Sequence, residues 1–466
     1  MFGSKKGLSG GRQFPVRLVL MIVGALLVAV PAVWLIIVRL EGTAPTVAFE
    51  TDPAFIRAES TELTVILKDN RSGIRSLRVT ISANGRDVDV LQREFPSGGL
   101  FVGGKEKSAQ VAVPILPERL GLSDGSAVLR VEARDFSLRH WGKGTPGYLE
   151  KTIQIDTKPP SIQMLTRSTN VSQGGTGLVI YRLSEDCPKT GVSVGEDFYP
   201  GYGGYFADPR VHLAFFALDY RSGKGTPIRI TAEDAAGNPS SVAMGAHIIA
   251  KTFRKDVINL SDGFLGAKMP DFYRYFPDLA KGDPLDLFLA INRDLRLRDD
   301  AAIAAAATAG TEKNILWEGV FLQLPNSASR AQFADHRTYF YNGKEVDQQN
   351  HMGTDLASIA HAPIPAANHG KVVFAGDQGI YGNAVVIDHG FGLFTLYSHM
   401  NEIHVGVGDA VQKGGIIGTT GATGMAGGDH LHYTTMVHHT FVNPLEWWDP
   451  AWIKNNITSK LESVSR

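Results

Sequence analysis

The pattern of apolar positions first shows one uninterrupted apolar segment near the N-terminus. Residues 18–38 read LVLMIVGALLVAVPAVWLIIV and contain no charged side chain. A helix of this length would be about 31 Å long, which is enough to cross the hydrocarbon core of a bilayer. Basic residues precede the segment, whereas Arg39 is soon followed by Glu41. We therefore predict a membrane anchor over 18–38, with 1–17 as a cytoplasmic tail and the rest of the chain outside the cytoplasm.

A cleaved signal peptide is the alternative explanation of this segment. The apolar run is longer than the usual hydrophobic region of a signal peptide, and no clear A-x-A cleavage site follows it. We therefore expect an uncleaved anchor that crosses the membrane once.

The next two hundred residues show the alternation that is typical of strands. Apolar residues alternate with polar ones at 63–67 and again at 77–81, which places the apolar side chains on one face of a strand. The intervening DNRSG at 69–73 supplies turn chemistry. Short strands joined by frequent turns favour a sandwich of two sheets.

Paired prolines at 159–160 divide this β region in two, because they end a strand and stiffen a linker. The strand IRITAED, which ends at Asp234, echoes the VEARD that ends at Asp135, so the two halves form a weak internal repeat. The DTKPP junction and the AEDAAGN ending resemble bacterial immunoglobulin-like modules. We predict two immunoglobulin-like β-sandwich domains, at 44–157 and 158–251.

The pattern changes to helical spacing after residue 263. Asp283 and Pro284 form a good helix start, with a capping side chain followed by proline at the first helical position. We predict a short helical connector over 263–314. From about residue 332, short apolar strands separated by glycines predict an antiparallel, β-rich domain at 332–450, with 451–466 as a C-terminal tail. The whole chain is thus predicted to be mainly β.

Composition narrows the classes of function. The chain has 466 residues, enough for two to four domains. Its formal net charge is −1 and it has no long basic run beyond the N-terminus, which argues against a nucleic-acid partner. The single cysteine, Cys187, rules out an internal disulfide and a cysteine-rich zinc site. We interpret it as a small half-buried residue of a β domain.

The histidines are concentrated near the C-terminus. Of the 14, only four lie before residue 351, and the other ten fall between 351 and 439. Three short patterns stand out among them: His351 with Asp355, His430 with His432, and His399 at the end of an apolar strand. Residues two apart on a strand point to the same side, so His430 and His432 can face one site.

These residue types suit a hydrolytic metal site. Zinc favours tetrahedral nitrogen and oxygen ligands and, in catalytic sites, keeps one position for water. Two histidines and a carboxylate leave a net positive site, which lowers the pKa of bound water from about 15.7 toward roughly 7. Two further histidines can orient the water, move protons and stabilise an oxyanion. Each short pattern alone is a weak signal, since an H-x-H on a strand is at least as often structural.

A longer stretch of the sequence resembles the M23 (lysostaphin- or LytM-type) peptidase domain. The similar segments are HMGTDLAS, PIPAANHGKVVFAG, YGNAVVIDHGFGLFTLYSHMNEIHVGVGDAVQKGGIIGTTGATG, DHLHY and VNPLEWW. The resemblance implies a β-rich fold, one zinc ion per chain and hydrolysis of peptide bonds in peptidoglycan. It implies that the zinc ligands are His351, Asp355 and His432, and that the catalytic pair is His399 and His430.

The sequence departs from the family pattern before its second motif. Residues 424–429 lack the serine-rich stretch often found there, and Asp429 stands where the family often has proline. We expect these residues to form a loop at the rim of the cleft and to affect substrate preference more than metal binding. We expect His438 and His439 to be a solvated pair in a hairpin turn, and Tyr381 to line the cleft without a catalytic role.

The resemblance implies a zinc endopeptidase that acts on cross-links or stem peptides of peptidoglycan, and the predicted anchor would hold it in the bacterial cytoplasmic membrane with its catalytic domain on the extracytoplasmic side. Its partners would be the membrane and peptidoglycan; the sequence does not indicate an oligomeric state. The alternative is a non-catalytic regulator or scaffold that activates other wall hydrolases. Such relatives have lost metal ligands, whereas all five site residues are present here, which favours the enzyme. We expect the upstream regions to act as a spacer or to regulate access to the cleft.

Overall fold

The computed structural model describes residues 16–166 and 169–464. Strands make up 42% of the chain and helices 20%, so the predicted mainly β fold class is confirmed. The described residues form two compact units, which are the residues up to Lys158 with Ala235–Asn238, and Pro159–Asp234 with Pro239 onward.

The apolar N-terminal segment is a helix, as predicted. Helix α1 spans Val16–Arg39, and an 18-residue window within it has a mean hydropathy of 2.8 and no buried residue. Its length and composition suffice to cross a membrane, although a signal sequence meets the same criteria. The predicted cytoplasmic tail, 1–17, lies outside the described residues except for its last two.

The first unit is a β structure built from two main sheets. Its strands are β1 (Thr46–Phe49), β2 (Phe55–Ile56), β3 (Thr61–Lys68), β4 (Ile74–Ala83), β5 (Arg86–Glu94), β6 (Ser97–Gly99), β7 (Gly103–Gly104), β8 (Ser108–Ile115), β9 (Gly125–Asp135) and β10 (Pro146–Ile155). The sheets have the orders β1-β3-β8 and β2-β10-β9-β4-β5, and β6 pairs with β7. Helix α2 (Pro117–Leu120) joins two strands, and so does the segment α3 (Arg139–Gly142), in which His140 and Trp141 have positive φ. The buried residues of β3 and β9 alternate with more exposed ones, because one face of each strand packs into the core.

The second β region lies in the same compact unit as the C-terminal part of the chain. Its strands are β11 (Ile162–Met164), β12 (Thr169–Ser172), β13 (Thr176–Leu183), β14 (Lys189–Val194), β15 (Asp197–Pro200), β16 (Val211–Ala217), β17 (Ile228–Glu233), β18 (Pro239–Ala243) and β19 (Ala246–Ile249). They form sheets of order β11-β13-β16, β12-β19 and β15-β14-β17-β18. Cys187 is buried, and burial raises the pKa of its thiol to about 11, which fits a structural role. The immunoglobulin-like character of both regions stays a prediction.

The predicted helical connector contains helices, as expected. Strand β20 (Lys255–Leu260) leads into α4 (Asp262–Lys268) and a 3₁₀ turn at Met269–Phe272. Helix α5 (Pro284–Ala290) continues through a π-helical turn into α6 (Arg296–Thr308). Asp283 caps α5 as predicted, because its carboxylate accepts the backbone N–H of Leu285 at 2.8 Å.

The C-terminal region is dominated by one large antiparallel sheet. Its strands are β21 (Ala328–Ala331), β22 (His336–Tyr341), β23 (Lys344–Asn350), β24 (Thr354–Ala357), β25 (Pro363–Pro365), β26 (Gly370–Asp377), β27 (Asn383–Asp388), β28 (Leu393–Met400), β29 (Glu402–Ile403), β30 (Ala410–Val411), β31 (Ile416–Thr419), β32 (Leu431–Val437) and β33 (Thr440–Val442). The large sheet has the order β21-β24-β32-β28-β27-β26-β30, with β33 paired to β32. Smaller sheets have the orders β20-β22-β23 and β25-β31-β29.

The last residues of the chain, predicted as a tail, form short helices. They are α7 (Leu445–Trp448), α8 (Pro450–Ile453), a π-helical turn at Lys454–Thr458 and α9 (Ser459–Val464). Ile453, Ile457 and Leu461 are buried, so this segment packs onto the body of the unit.

The connector helices share a hydrophobic core with the large sheet. Phe288 of α5 and Ile303 of α6 belong to the same buried cluster as Val386, Phe394 and Met436 of the sheet. The connector is therefore packed as an integral layer of the C-terminal region. Apolar burial of this kind is the main favourable term in folding.

We expect Phe288→Ala to destabilise the C-terminal region by about 3–5 kcal/mol, because it removes a fully buried ring from this shared core. Chemical denaturation followed by tryptophan fluorescence measures the change. The matched control is Leu297→Ala on α6, where the side chain is 70% exposed and the change should stay within about 0.5 kcal/mol. Equal effects of the two substitutions would contradict the packing of the connector.

Candidate metal centre and active site

Three adjacent strands of the large sheet bring the predicted site residues together. Strand β32 lies between β24 and β28. In the pairing register, Asp355 on β24 lies opposite His432 on β32, and His432 lies opposite Ser398, the residue before His399 on β28. His430 immediately precedes β32. Residues that are far apart along the chain therefore meet on one face of the sheet.

Asp355 and two histidines converge at one point. The distances between His351 Nε2, His432 Nδ1 and Asp355 Oδ1 are all 2.9 Å. Both histidines are buried and Asp355 is nearly so. These three residues form a group that can hold a metal ion.

The donor set fits a tetrahedral metal ion such as zinc. Two imidazole nitrogens and one carboxylate oxygen are typical ligands of a catalytic zinc site. In a tetrahedron with metal–ligand bonds of roughly 2.0–2.2 Å, neighbouring donor atoms are about 3.3–3.6 Å apart. The separations of 2.9 Å are about 0.4–0.7 Å shorter, so the three side chains would move apart slightly to hold the ion.

Hydrogen bonds at the far side of each ring fix which nitrogen is free to bind a metal. His351 Nδ1 lies 3.0 Å from the carbonyl oxygen of Gln332 and donates its proton there, which leaves the lone pair of Nε2 in the site. The Thr434 hydroxyl donates to the carbonyl oxygen of Met352 at 2.9 Å. Its oxygen therefore accepts from His432 Nε2 at 3.1 Å, which leaves the lone pair of His432 Nδ1 in the site.

The second oxygen of Asp355 is held by an arginine that the sequence patterns did not single out. Arg337 Nη2 on β22 donates to Asp355 Oδ2 at 3.0 Å. This leaves Oδ1 as the oxygen that faces the two imidazoles. The local sequence does not indicate a site role for Arg337, because its partner lies on another strand. The same holds for Thr434.

The predicted catalytic pair lies beside the triad. The rings of His399 and His430 have centroids 4.9 Å apart, and His430 Nε2 is 3.5 Å from Asp355 Oδ1. His399 Nδ1 donates to the carbonyl oxygen of Thr423 at 2.9 Å, and His430 Nδ1 to that of Gly428 at 2.8 Å. Nδ1 of each imidazole is therefore occupied by a backbone carbonyl, which leaves Nε2 as the nitrogen for chemistry, and Nε2 of His430 also faces Asp355. The structure thus brings all five predicted site residues together.

The backbone at His399 adopts a conformation that is rare for a residue with a side chain. Its φ is 60°, in the left-handed region. Such strain is found preferentially at functional sites, where the surrounding fold compensates for it. Here it turns the imidazole at the end of β28 toward the triad.

Burial and charge set the protonation of the site. Burial lowers the pKa of His432 to about 4 and holds the pKa of His399 well below its usual value, so both imidazoles are neutral near pH 7. Burial by itself raises the pKa of Asp355, but the neighbouring imidazoles outweigh it and hold that pKa well below the usual range. Burial lowers the pKa of His430, but its hydrogen bond to Asp355 and the charge of that carboxylate raise it overall. Neutral histidines and an ionised carboxylate are the forms that bind a metal.

The comparison with known families agrees with this geometry. Residues 349–444 match the family model described as "Peptidase family M23". The C-terminal part of the chain is an M23 peptidase domain.

Curated relatives match about a fifth of the chain. "DD-carboxypeptidase/endopeptidase Mpg" of Neisseria meningitidis is 40% identical over 95 residues, which are 20% of this chain and 22% of the relative. "Peptidoglycan DD-endopeptidase ShyA" of Vibrio cholerae is 38% identical over 96 residues, which are 21% of this chain and 22% of the relative. The chain thus spans about a fifth of the length of these relatives. Among solved structures, the catalytic domain of lysostaphin from Staphylococcus simulans is 28% identical, with a TM-score of 0.24, and the match covers 28% of this chain and 98% of that domain.

The cleft of the M23 domain has walls from outside the matched region. A cavity of about 380 Å³ opens onto all five site residues. Leu260 of β20, Phe264 of α4 and Phe288 of α5 also line it, as does Arg296 of α6. The connector therefore shapes the space in front of the site. Tyr381 lines the cavity as expected, and its hydroxyl donates to Asp300 at 2.6 Å.

One expectation about the histidines of the M23 domain is wrong. His438 is buried, with its ring stacked against Tyr202 at a centroid distance of 5.9 Å. Burial lowers its pKa to about 4. The turn at 438–439 packs against the second β region, and only His439 keeps substantial exposure. Tertiary packing overrides the polar character of the dipeptide.

We expect Thr434→Val to weaken zinc binding by about 10–100-fold, because it removes the acceptor that fixes the tautomer of His432. Thr434→Ser should restore binding. Competition with a zinc chelator measures the affinity. The neighbouring Thr435→Val is the control, since the Thr435 hydroxyl is buried without a hydrogen-bond partner among the described residues. If Thr435→Val weakened binding as much as Thr434→Val, general destabilisation would account for the loss.

Proposed function

We propose that this chain is a membrane-anchored zinc endopeptidase that hydrolyses peptide bonds in the cross-links or stem peptides of peptidoglycan. The observation that carries the proposal is the convergence of His351, Asp355 and His432 beside the imidazoles of His399 and His430. The names of the two matched relatives support peptidoglycan as the substrate, since both describe endopeptidases and one names peptidoglycan.

The residues of the site divide into two roles. His351, Asp355 and His432 would hold the zinc ion, which supplies Lewis-acid activation of water and of the scissile carbonyl. His399 and His430 flank this group, with Nδ1 of each occupied by a backbone carbonyl. Their Nε2 atoms are placed to orient the attacking water, accept its proton and pass a proton to the leaving amine.

Arg337 and the cleft walls prepare the site for this chemistry. The Arg337 guanidinium orients the carboxylate of Asp355 through the bond to Oδ2. Phe264, Phe288 and Met425 supply apolar walls to the cavity, which reduce the water around the reacting groups and strengthen the electrostatic interactions there. The cavity is large enough to accept a short peptide segment in an extended form.

A non-catalytic regulator or scaffold is the alternative function. All five side chains of the site are present and converge, and the two histidines outside the triad would have no purpose in a scaffold. This favours the enzyme.

Substitutions in the two histidine roles should separate metal binding from catalysis. His432→Ala removes a ligand, so both zinc content and peptidoglycan hydrolysis should be lost. His430→Gln should keep zinc but lower kcat/KM by about 10²–10⁴-fold, because it removes a proton-transfer group. Metal analysis and mass spectrometry of fragments released from purified peptidoglycan measure the two effects.

His404→Gln is the matched control, because this side chain is exposed, lies outside the cavity and, among the described residues, pairs with Glu402 alone. Near-wild-type hydrolysis by His430→Gln would refute its catalytic role. Release of no fragments by a zinc-loaded wild-type protein would favour the scaffold.

Helix α1 supports a location in the bacterial cytoplasmic membrane, with a single crossing and the catalytic domain on the extracytoplasmic side. We expect the intact chain to stay in the membrane pellet after alkaline washing. Deletion of 18–38 should release it into the soluble fraction. A mature protein found to start after residue 40 would instead show that the segment is a signal peptide.

A further inference from the structure

The first unit contains three buried carboxylates that the proposed peptidase chemistry does not use. Glu41 lies two residues after helix α1, Asp69 lies just after β3, and Asp135 ends β9. Their exposed fractions are 4%, 6% and 0%. Each offers one oxygen, and these oxygens lie within 4.8 Å of one another.

One oxygen of each carboxylate accepts hydrogen bonds from backbone N–H groups. Glu41 Oε1 accepts the backbone N–H of Ser72 at 2.5 Å. Asp69 Oδ1 accepts the N–H groups of Arg71 at 2.9 Å and Gly73 at 3.1 Å. Asp135 Oδ1 accepts those of Ser137 at 3.0 Å and Thr145 at 2.6 Å. Backbone donors fix the orientation of all three groups. They leave the second oxygen of each side chain for another partner.

The second oxygens have few donors. Asp135 Oδ2 is buried and has no hydrogen-bond partner in the described part of the chain. Among the described side chains, Asp69 Oδ2 has one long contact, of 3.4 Å with the Ser72 hydroxyl, and Glu41 Oε2 accepts from the Thr43 hydroxyl at 2.9 Å. An unpartnered carboxylate oxygen in the interior is costly, and a buried charge is normally paired or bound to a metal.

Among the residues that the structure describes, nearby arginine side chains donate no hydrogen bond to the three carboxylates. Within the described ranges, Arg71 is the one side-chain cation within 4.0 Å; its Nε lies 4.0 Å from Glu41 Oε2, and its side chain is 58% exposed. Arg39 is buried close by and its charge acts on Asp135, but its N–H groups donate to the backbone carbonyls of Phe136, Gly99 and Leu100. Three converging carboxylates therefore repel one another in the interior.

We propose that Glu41, Asp69 and Asp135 bind a hard divalent cation, namely calcium. An all-oxygen, carboxylate-rich site is what calcium prefers, and backbone carbonyls or water complete its coordination. The ion would join the segment that follows α1 to the β3–β4 turn and to the end of β9. It thereby fixes how the chain leaves the anchor helix.

The first test counts bound calcium on the full-length, zinc-loaded protein in detergent. Equilibrium dialysis should give one calcium ion fewer for Asp135→Asn than for the wild type, with a dissociation constant of about 10⁻⁴–10⁻³ M for that ion. Asparagine keeps the Oδ1 acceptor for Ser137 and Thr145, so the substitution alters only the free oxygen. The control is Asp89→Asn, an exposed carboxylate paired with Arg78 on the same unit. Equal calcium binding by Asp135→Asn and the wild type would overturn the proposal.

The second test locates the effect by hydrogen exchange. Calcium should slow exchange at residues 40–45 and 69–73 in the wild type and in Asp89→Asn, but not in Asp135→Asn or Glu41→Gln. Without calcium, Asp135→Asn should be at least as protected as the wild type, because it removes a repelling charge. Faster exchange in Asp135→Asn under calcium-free conditions would show that the carboxylate is needed for folding alone, and would also overturn the proposal. Zinc content and hydrolysis remain separate readouts, so failure here leaves the peptidase proposal intact.

Discussion

The C-terminal region depends on the pairing of β24, β32 and β28, which places Asp355 opposite His432 and brings β28 alongside. A shift of one residue in either register would turn an imidazole to the other face of the sheet. The register is secured by the apolar residues that alternate with the site residues. Leu431 and Tyr433 are buried on the opposite face from His432, so the same core that stabilises the sheet also sets the distances in the metal group.

The site is preorganised by bonds that lie behind the reacting atoms. Backbone carbonyls of Gln332, Thr423 and Gly428 each hold an Nδ1 proton, and Thr434 does the equivalent for His432. These partners fix tautomers and ring angles before any ligand arrives, so little reorganisation is left for binding and catalysis. Burial lowers the pKa of His399 and His432, so these two imidazoles are neutral near pH 7, and the neighbouring imidazoles hold the pKa of Asp355 below its usual range.

The sequence predicted the apolar helix, the mainly β class, the capped helix at Asp283 and the five residues that converge in the site. These features have local signals: an uncharged run, period-two alternation, a cap followed by proline, and short histidine patterns within a family resemblance. It did not predict Arg337, whose partner lies 18 residues away on another strand, or the burial of His438 against Tyr202. Contacts that depend on tertiary packing leave no trace in spacing, which is also why the helices at the C-terminus were expected to be a tail.

The layer formed by the connector helices has a consequence for modularity. The family match covers residues 349–444 and does not include the connector helices. Phe288 and Ile303 of those helices nevertheless pack in one buried cluster with Phe394 and Met436 of the matched strands. If residues 349–444 were moved alone into another protein, the apolar surface that the connector helices cover would be exposed to water and would favour self-association. The structural unit that can be moved intact is therefore larger than the segment that the family model matches.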